Sequence, residues 1–160
     1  MNQQLPDLPS RPLDLEAYAG FVRCIEFVGI FLTDTTIKRN WSASHLPTSP
    51  RVTVSYSVDE PMLTEDVLKT QMSFRVEAKC RDKRTSRKVF SLKFTLQLSY
   101  RLAEFDASAV APDALSEILR FFARKNVPLN AWPYAREYVS SSTVRLGFPA
   151  LVISTYKVNV

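Results

Sequence analysis

A strict alternation of apolar and polar side chains runs through residues 89–102 and limits what this chain can fold into. The apolar positions are Phe90, Leu92, Phe94, Leu96, Leu98, Tyr100 and Leu102. Residues 70–79 alternate in the same way, with Met72, Phe74, Val76 and Ala78 on one face. A period of two residues is typical of a strand with one buried face. Because a short charged segment joins the two runs, we expect an antiparallel hairpin.

Two further segments are predicted strands. Residues 51–58 alternate cleanly and place Val52, Val54, Tyr56 and Val58 on one face. Residues 21–38 are rich in aromatic and β-branched residues, but they alternate poorly. One face carries Phe21, Ile25, Phe27 and Phe31, and the other carries Val22, Cys24, Val28, Ile30 and Leu32. A strand that is apolar on both faces is buried on both, or meets a partner on one of them.

The connection between the predicted strands, residues 59–69, is unusually apolar. It contains Met62, Leu63, Val67 and Leu68. Apolar side chains in a connection usually fold back onto the core. The alternative is that they line a groove.

A helical period begins after residue 111. Pro112 and Asp113 suit a first helical turn, and Leu115, Ile118, Leu119 and Phe122 recur at helical spacing. Residues 127–131, with Pro128, predict a break. Pro133 predicts the start of a second helix, and Gly147 is placed to cap its end. Residues 150–158 are a predicted extended segment.

The order of these elements favours an α+β fold, with a four-stranded antiparallel sheet and two helices on one face. A chain of 160 residues that is 46% hydrophobic can form one such domain. We assign it to residues 21–160. The prolines at positions 6, 9 and 12 predict a flexible arm over residues 1–20. A hot-dog or cystatin-like sheet also fits this pattern.

The composition argues against most kinds of enzyme active site. The chain has one histidine, His45, which is predicted to lie in a loop, and three widely separated glycines. It has two cysteines, Cys24 and Cys80, and no metal-ligand spacing. We therefore expect no enzyme activity, cofactor or metal. No secretory leader or membrane span is recognisable, which favours a cytoplasmic protein.

The net charge is concentrated in one segment. Residues 79–88, KCRDKRTSRK, hold six basic residues and one acidic residue, a local charge of +5 that equals the formal charge of the whole chain. The segment is either a solvated hairpin tip or a docking surface for an acidic partner or a phosphate backbone. The second interpretation gives an alternative function, a nucleic-acid-associated protein. Nucleic acid is an unlikely partner, because no aromatic residue is interleaved with these charges.

The segment Trp132 to Leu151, WPYAREYVSSSTVRLGFPAL, resembles the signature of the SecB export-chaperone family. Pro133, Tyr134, Ala135, Arg136 and Glu137 match consecutively, followed by Phe148, Pro149 and Leu151. Ile30, Phe31, Asp34 and Ile37 are similar to the family's first strand, and Val52, Val54 and Tyr56 to its second.

This resemblance implies an ATP-independent chaperone, or holdase, that keeps non-native polypeptides unfolded and soluble. It implies a homotetramer built as a dimer of dimers, or a dimer. The first strands would pair across the dimer, and the first helices would pack between dimers. Clients would lie in apolar grooves between the sheet, the connection and the second helix.

The resemblance also assigns site residues. The expected client groove comprises Phe27, Val52, Val54, Tyr56, Met62, Leu63 and Leu68. Pro133, Tyr134, Arg136 and Glu137 are expected to be structural. Possible partner-docking residues are Asp34, Arg81, Lys83, Arg84 and Arg87.

Three departures from the family pattern weaken the expectation of docking to the SecA motor. The turn at residues 79–88 is basic where the family is acidic, Lys38 stands where an acid is usual, and the closing helix and acidic tail do not follow. These departures favour SecB-like proteins outside the general export route, which include solitary, phage-encoded and toxin–antitoxin-associated chaperones. The client is then a preprotein or an antitoxin-like protein. A hot-dog-like acyl-thioester enzyme suits the sheet but lacks an acid/base set.

Overall fold

The computed structural model describes residues 13–42, 50–82 and 85–156. Their elements are helix α1 (Leu15–Cys24), strands β1 (Ile25–Arg39), β2 (Arg51–Val58), β3 (Met62–Thr64), β4 (Val67–Asp82) and β5 (Thr85–Leu102), and helix α2 (Pro112–Arg145). His45 lies outside the described residues, as do residues 1–12, so the flexible arm and its boundary with the domain stay predictions.

The strands form one antiparallel sheet in the order β1-β5-β4-β2. The predicted hairpin of β4 and β5 is its centre and stays paired as far as Asp82 and Thr85. β3 pairs with β4 beyond the end of β2, so β2 and β3 share one edge of the sheet. The α+β class is confirmed. The sheet has five strands rather than four, because the apolar connection turns at Glu65, which has a φ of 55°, and pairs with β4.

Helices cover one face of the sheet and leave the other face exposed. The alternating apolar residues of β4 and β5 are buried beneath α2, together with Phe21 of α1. The opposite face is mostly polar, apart from Phe31 and Met62, and is not covered by either helix. We call the first the helix face and the second the open face. Burial of one face by helices is what the strict alternation predicts.

The predicted break in the second half of the chain is wrong, because α2 is continuous from Pro112 to Arg145. Pro128 and Pro133 lie inside it, although a proline in a helix interior costs about 3 kcal/mol. Pro128 itself is buried, as are Val127, Ala131 and Trp132 around it. Burial of these side chains against the sheet offsets the lost backbone hydrogen bonds.

The end of α2 agrees with the prediction. Gly147 has a φ of +79°, its N–H donates to the Val144 carbonyl at 2.9 Å, and the Phe148 N–H donates to the Thr143 carbonyl at 3.0 Å. This is the Schellman arrangement, which a glycine enters without steric cost.

The first strand begins later than predicted. Residues 15–24 form α1, so the last residues of the predicted arm and the first four of the predicted strand are helical. The Asp14 carboxylate caps α1 by accepting from the Glu16 and Ala17 N–H groups. Phe21 is fully buried and packs edge-on against Phe122 of α2. This ring contact holds α1 on the helix face.

The poor alternation of β1 has a structural cause. Its pairing with β5 shifts register between Phe27 and Gly29 and again between Leu32 and Asp34. Each bulge adds one residue and reverses the alternation. Phe31 therefore pairs with Gln97 on the open face, whereas Phe27 pairs with Tyr100 on the helix face. The predicted grouping of Phe27 with Phe31 is wrong.

Candidate functional site

β1 exposes large apolar side chains along a free edge of the sheet. They are Phe27, Val28, Phe31, Leu32 and Ile37, and we call them the β1 surface. Val28 is 63% exposed and Phe31 is 58% exposed. β1 pairs only with β5 among the described strands, so its outer backbone groups are available to another strand.

The predicted client groove is only partly assembled. Its β2 residues lie on the helix face, half-buried, with Leu63 of β3 beside them. Val58, which was not assigned to the groove, continues the row. We call this row the β2 surface: Val52, Val54, Tyr56, Val58 and Leu63.

Three predicted groove residues lie elsewhere. Leu68 is fully buried, because it faces α2 in the centre of the sheet. Met62 is 71% exposed, but it pairs with Lys69 and so lies on the open face. Phe27 is on β1, and β5 and β4 separate it from β2. None of the three belongs to the β2 surface.

A segment after α2 packs against that helix and reaches the β2 surface at Tyr56. Residues 151–156 follow α2 without forming a strand. The Trp132 indole Nε1 donates to the Ser154 carbonyl at 2.6 Å, and Ile153 is buried. The Tyr156 ring lies 5.3 Å from the Trp132 ring and 6.0 Å from the Tyr56 ring, centre to centre. We call residues 151–156 the C-terminal segment.

Within residues 13–42, 50–82 and 85–156, no cluster of histidine, cysteine or acidic residues could hold a metal ion. No helix in the same ranges is long and apolar enough to cross a membrane.

Comparison with known proteins gives matches among solved structures. No family model and no curated protein matches this chain. Among solved structures, the SecB-like chaperone Rv1957 of Mycobacterium tuberculosis, in complex with a ChAD peptide from the Rv1956 HigA1 antitoxin, matches with a TM-score of 0.67 and 17% sequence identity. The match covers 91% of this chain and 99% of that chain. The chain has a SecB-like fold.

A second solved structure is much less similar. It is a protein of unknown function from Streptococcus agalactiae, with a TM-score of 0.38 and 10% identity, and it covers 82% of this chain and 97% of that chain.

Within the SecB-like fold, the signature helix residues are mostly on the surface. Ala135 is buried, but Pro133 and Glu137 are exposed and Tyr134 is 47% exposed. Tyr134 therefore does not pack against the sheet, and the structural role expected for the signature residues stays a prediction. These side chains lie on the outer side of α2, because the inner side is occupied by the residues that contact the sheet.

The predicted docking residues do not form one site on the SecB-like fold. Arg81 pairs with Ser86 and Arg87 pairs with Cys80, so the two arginines lie on opposite faces of the hairpin. Asp34 is level with Ser73, about 25 Å along β4 from Arg81 at about 3.3 Å per residue. Lys83 and Arg84 lie outside the described residues.

The carboxylate of Glu77 pairs with two lysines of the basic segment that joins β4 and β5. Glu77 accepts from the Lys88 ammonium at 3.0 Å and lies 3.5 Å from the Lys79 ammonium. The hydrogen bond from Lys88, followed by the charges of both lysines, lowers the pKa of Glu77. Glu77 therefore stays ionised at neutral pH, and it neutralises part of the charge of these lysines.

Proposed function

We propose that this protein is a cytoplasmic, ATP-independent chaperone that binds non-native polypeptide along the β2 surface. The observation that carries the proposal is that a segment of the chain itself already contacts this surface, through the rings of Tyr156 and Tyr56. A surface that binds the aromatic side chain of Tyr156 also suits a client segment with aromatic or apolar side chains. No cofactor, metal or catalytic step is needed, because burial of client side chains supplies the binding free energy.

The chemistry of the β2 surface fits clients of varied sequence. Val52, Val54 and Leu63 are half-buried at a sheet edge whose outer backbone groups are unpaired among the described strands. An extended client can hydrogen-bond to such an edge through its backbone, whatever its sequence. The aromatic rings of Tyr56 and Trp132 then favour clients that carry apolar or aromatic residues.

The proposed client is an antitoxin-like protein or a preprotein. The structure of Rv1957, which has the same fold, contains a peptide from an antitoxin. That peptide supports a short linear segment as the element recognised. We do not propose docking to SecA, since basic residues dominate the hairpin that would contact it.

We propose that two copies of the chain pair through their β1 surfaces. Soluble monomers rarely leave much large apolar surface exposed, and β1 exposes five large apolar side chains along one edge of the sheet. A free edge strand also invites pairing with another strand. A second interface is proposed on the outer side of α2, where Leu129, Tyr134 and Val144 are exposed, which would give a dimer of dimers.

The first test is suppression of aggregation. A chemically unfolded client is diluted into buffer with and without the protein, in the absence of ATP, and light scattering is followed. We expect the scattering to fall to near the baseline at about one oligomer per client, and size-exclusion chromatography to recover a complex of the two. Scattering that is unchanged by a folded oligomer, for both an antitoxin and a preprotein client, would contradict the proposed function.

The C-terminal segment is expected to compete with the client. Replacement Tyr156→Ala removes the ring that contacts both the Tyr56 and the Trp132 rings, so the segment should detach more easily. We expect client affinity to rise about threefold, equivalent to about 0.7 kcal/mol of competition removed. The control Tyr156→Phe keeps the ring contacts and should bind like the wild type. Weaker binding by the alanine variant would show that Tyr156 contributes to client contact instead.

A further inference from the structure

The open face of the sheet carries a basic depression that is distinct from the β2 surface and from the hairpin tip. It encloses about 430 Å³. It is lined by Thr36, Lys38, Arg75, Glu77, Lys88, Ser91 and Lys93. Four of these seven residues are basic, and they come from three different strands. The client proposed above lies on the other face of the sheet, so this inference is independent of the proposed function.

Two like charges in this depression repel each other when no partner is bound. Arg75 and Lys93 are directly opposite each other on β4 and β5. Like charges in a cross-strand pair are destabilising. Lys38 lies one row away, beyond Ser91. Among the described residues, no acidic side chain forms an ion pair with Arg75, Lys93 or Lys38, whereas Glu77 pairs with Lys79 and Lys88.

We propose that this depression docks an acidic polypeptide segment that places separate carboxylates against Arg75, Lys93 and Lys38. The hydroxyl of Thr36 beside Lys93 can donate to the same carboxylates. An acidic segment would relieve the repulsion between Arg75 and Lys93, because each cation would gain a charged hydrogen-bond acceptor.

The position of Glu77 favours a peptide over nucleic acid. Its carboxylate lies within the lining, next to the free cations. A phosphate backbone carries closely spaced charges that would meet this carboxylate, about one charge per 1.7 Å of duplex axis. A peptide can place a neutral residue opposite Glu77. In addition, no aromatic side chain lines the depression, and binding of single strands relies on aromatic stacking.

The experiment compares fluorescein-labelled octaglutamate with octaglutamine by fluorescence anisotropy at physiological salt. We expect the oligomer to bind octaglutamate at least tenfold more tightly than octaglutamine, and we expect binding to weaken as salt rises. The double variant Arg75→Gln with Lys93→Gln should lose about tenfold in affinity. The matched control, Arg81→Gln with Arg87→Gln, removes the same charge from the hairpin and should stay within about twofold. Circular dichroism checks that both variants are folded.

Three results would overturn the proposal. Equal binding of octaglutamate and octaglutamine would show that the depression has no preference for carboxylates. An equal loss in the hairpin control would assign the attraction to overall charge. Tighter binding of an oligothymidylate or a DNA duplex at physiological salt, with the same dependence on Arg75 and Lys93, would assign the surface to nucleic acid.

Discussion

Replacement Phe31→Asp is expected to break the pairing through β1 and so halve the mass of the oligomer, without unfolding the chain. Phe31 lies on the open face of β1, where no helix covers it, and its ring contacts Gly29 of its own strand. The core therefore loses little when it is replaced. In a two-fold β1 interface each substitution is present twice, and burial of an unpaired polar group costs about 1–3 kcal/mol. We expect dimer dissociation to be at least about 100-fold more favourable.

Sedimentation velocity measures this effect directly, since the wild type should sediment as a multiple of 18.2 kDa and the variant at half the wild-type mass. The control Ser57→Asp places the same charge on the opposite edge strand, at an exposed position opposite Ser73. It should keep the oligomer intact. A wild type that is monomeric at micromolar concentration, or a Phe31→Asp variant that keeps the wild-type mass, would exclude pairing through β1.

The strands with one buried face were predictable because the polarity of each side chain indicates whether it lies on the buried or the exposed face. In β2, β4 and β5 the alternation is unbroken over the helix-covered part of the sheet, and the structure has the predicted faces. β1 was not predictable in the same way. Its bulges at Val28 and Thr33 depend on the register with β5, and a local pattern contains no information about register.

The helices show how tertiary burial overrides local preference. Residues 127–131, with Pro128, predict a break, yet α2 continues because its inner side buries Phe122, Val127 and Trp132 against the sheet. α1 was missed although Asp14 is a good capping residue. Phe21 and Val22 favour a strand locally, but Phe21 is buried by its contact with Phe122, which lies about one hundred residues later in the chain.

The candidate sites combine elements that are distant in sequence. The row Val52, Val54 and Tyr56 was predicted from alternation, but its contact with Tyr156 required the chain to return to β2 after α2. The basic depression likewise depends on pairing, since Lys38, Arg75 and Lys93 come from three strands. The cluster at residues 79–88 was visible in the sequence, whereas the repulsive pair of Arg75 and Lys93 was not.

Replacement Val54→Lys is expected to weaken client binding about tenfold while the fold is kept. Val54 is half-buried at the centre of the β2 surface. A lysine there can keep its methylene groups against the sheet and extend its ammonium to solvent, so the free chain tolerates it. A bound client would cover that ammonium and pay for its desolvation. A tenfold loss corresponds to about 1.4 kcal/mol, which is modest for a partly covered charge.

Val54 is a better choice than Tyr56, because the Tyr56 ring contacts the rings of Phe74, Trp132 and Tyr156 and its loss would disturb the fold. The matched control is Thr53→Lys, which adds the same charge one residue away on the open face, opposite Glu77. Affinity is measured by titration of a labelled unfolded client, with thermal unfolding as the check on stability. If both lysine variants lose affinity equally, clients are repelled by charge in general and the β2 surface is not their binding site. If only Val54→Lys loses affinity, the client lies on the helix face, because the two variants carry the same charge and differ in the face of β2 on which it lies.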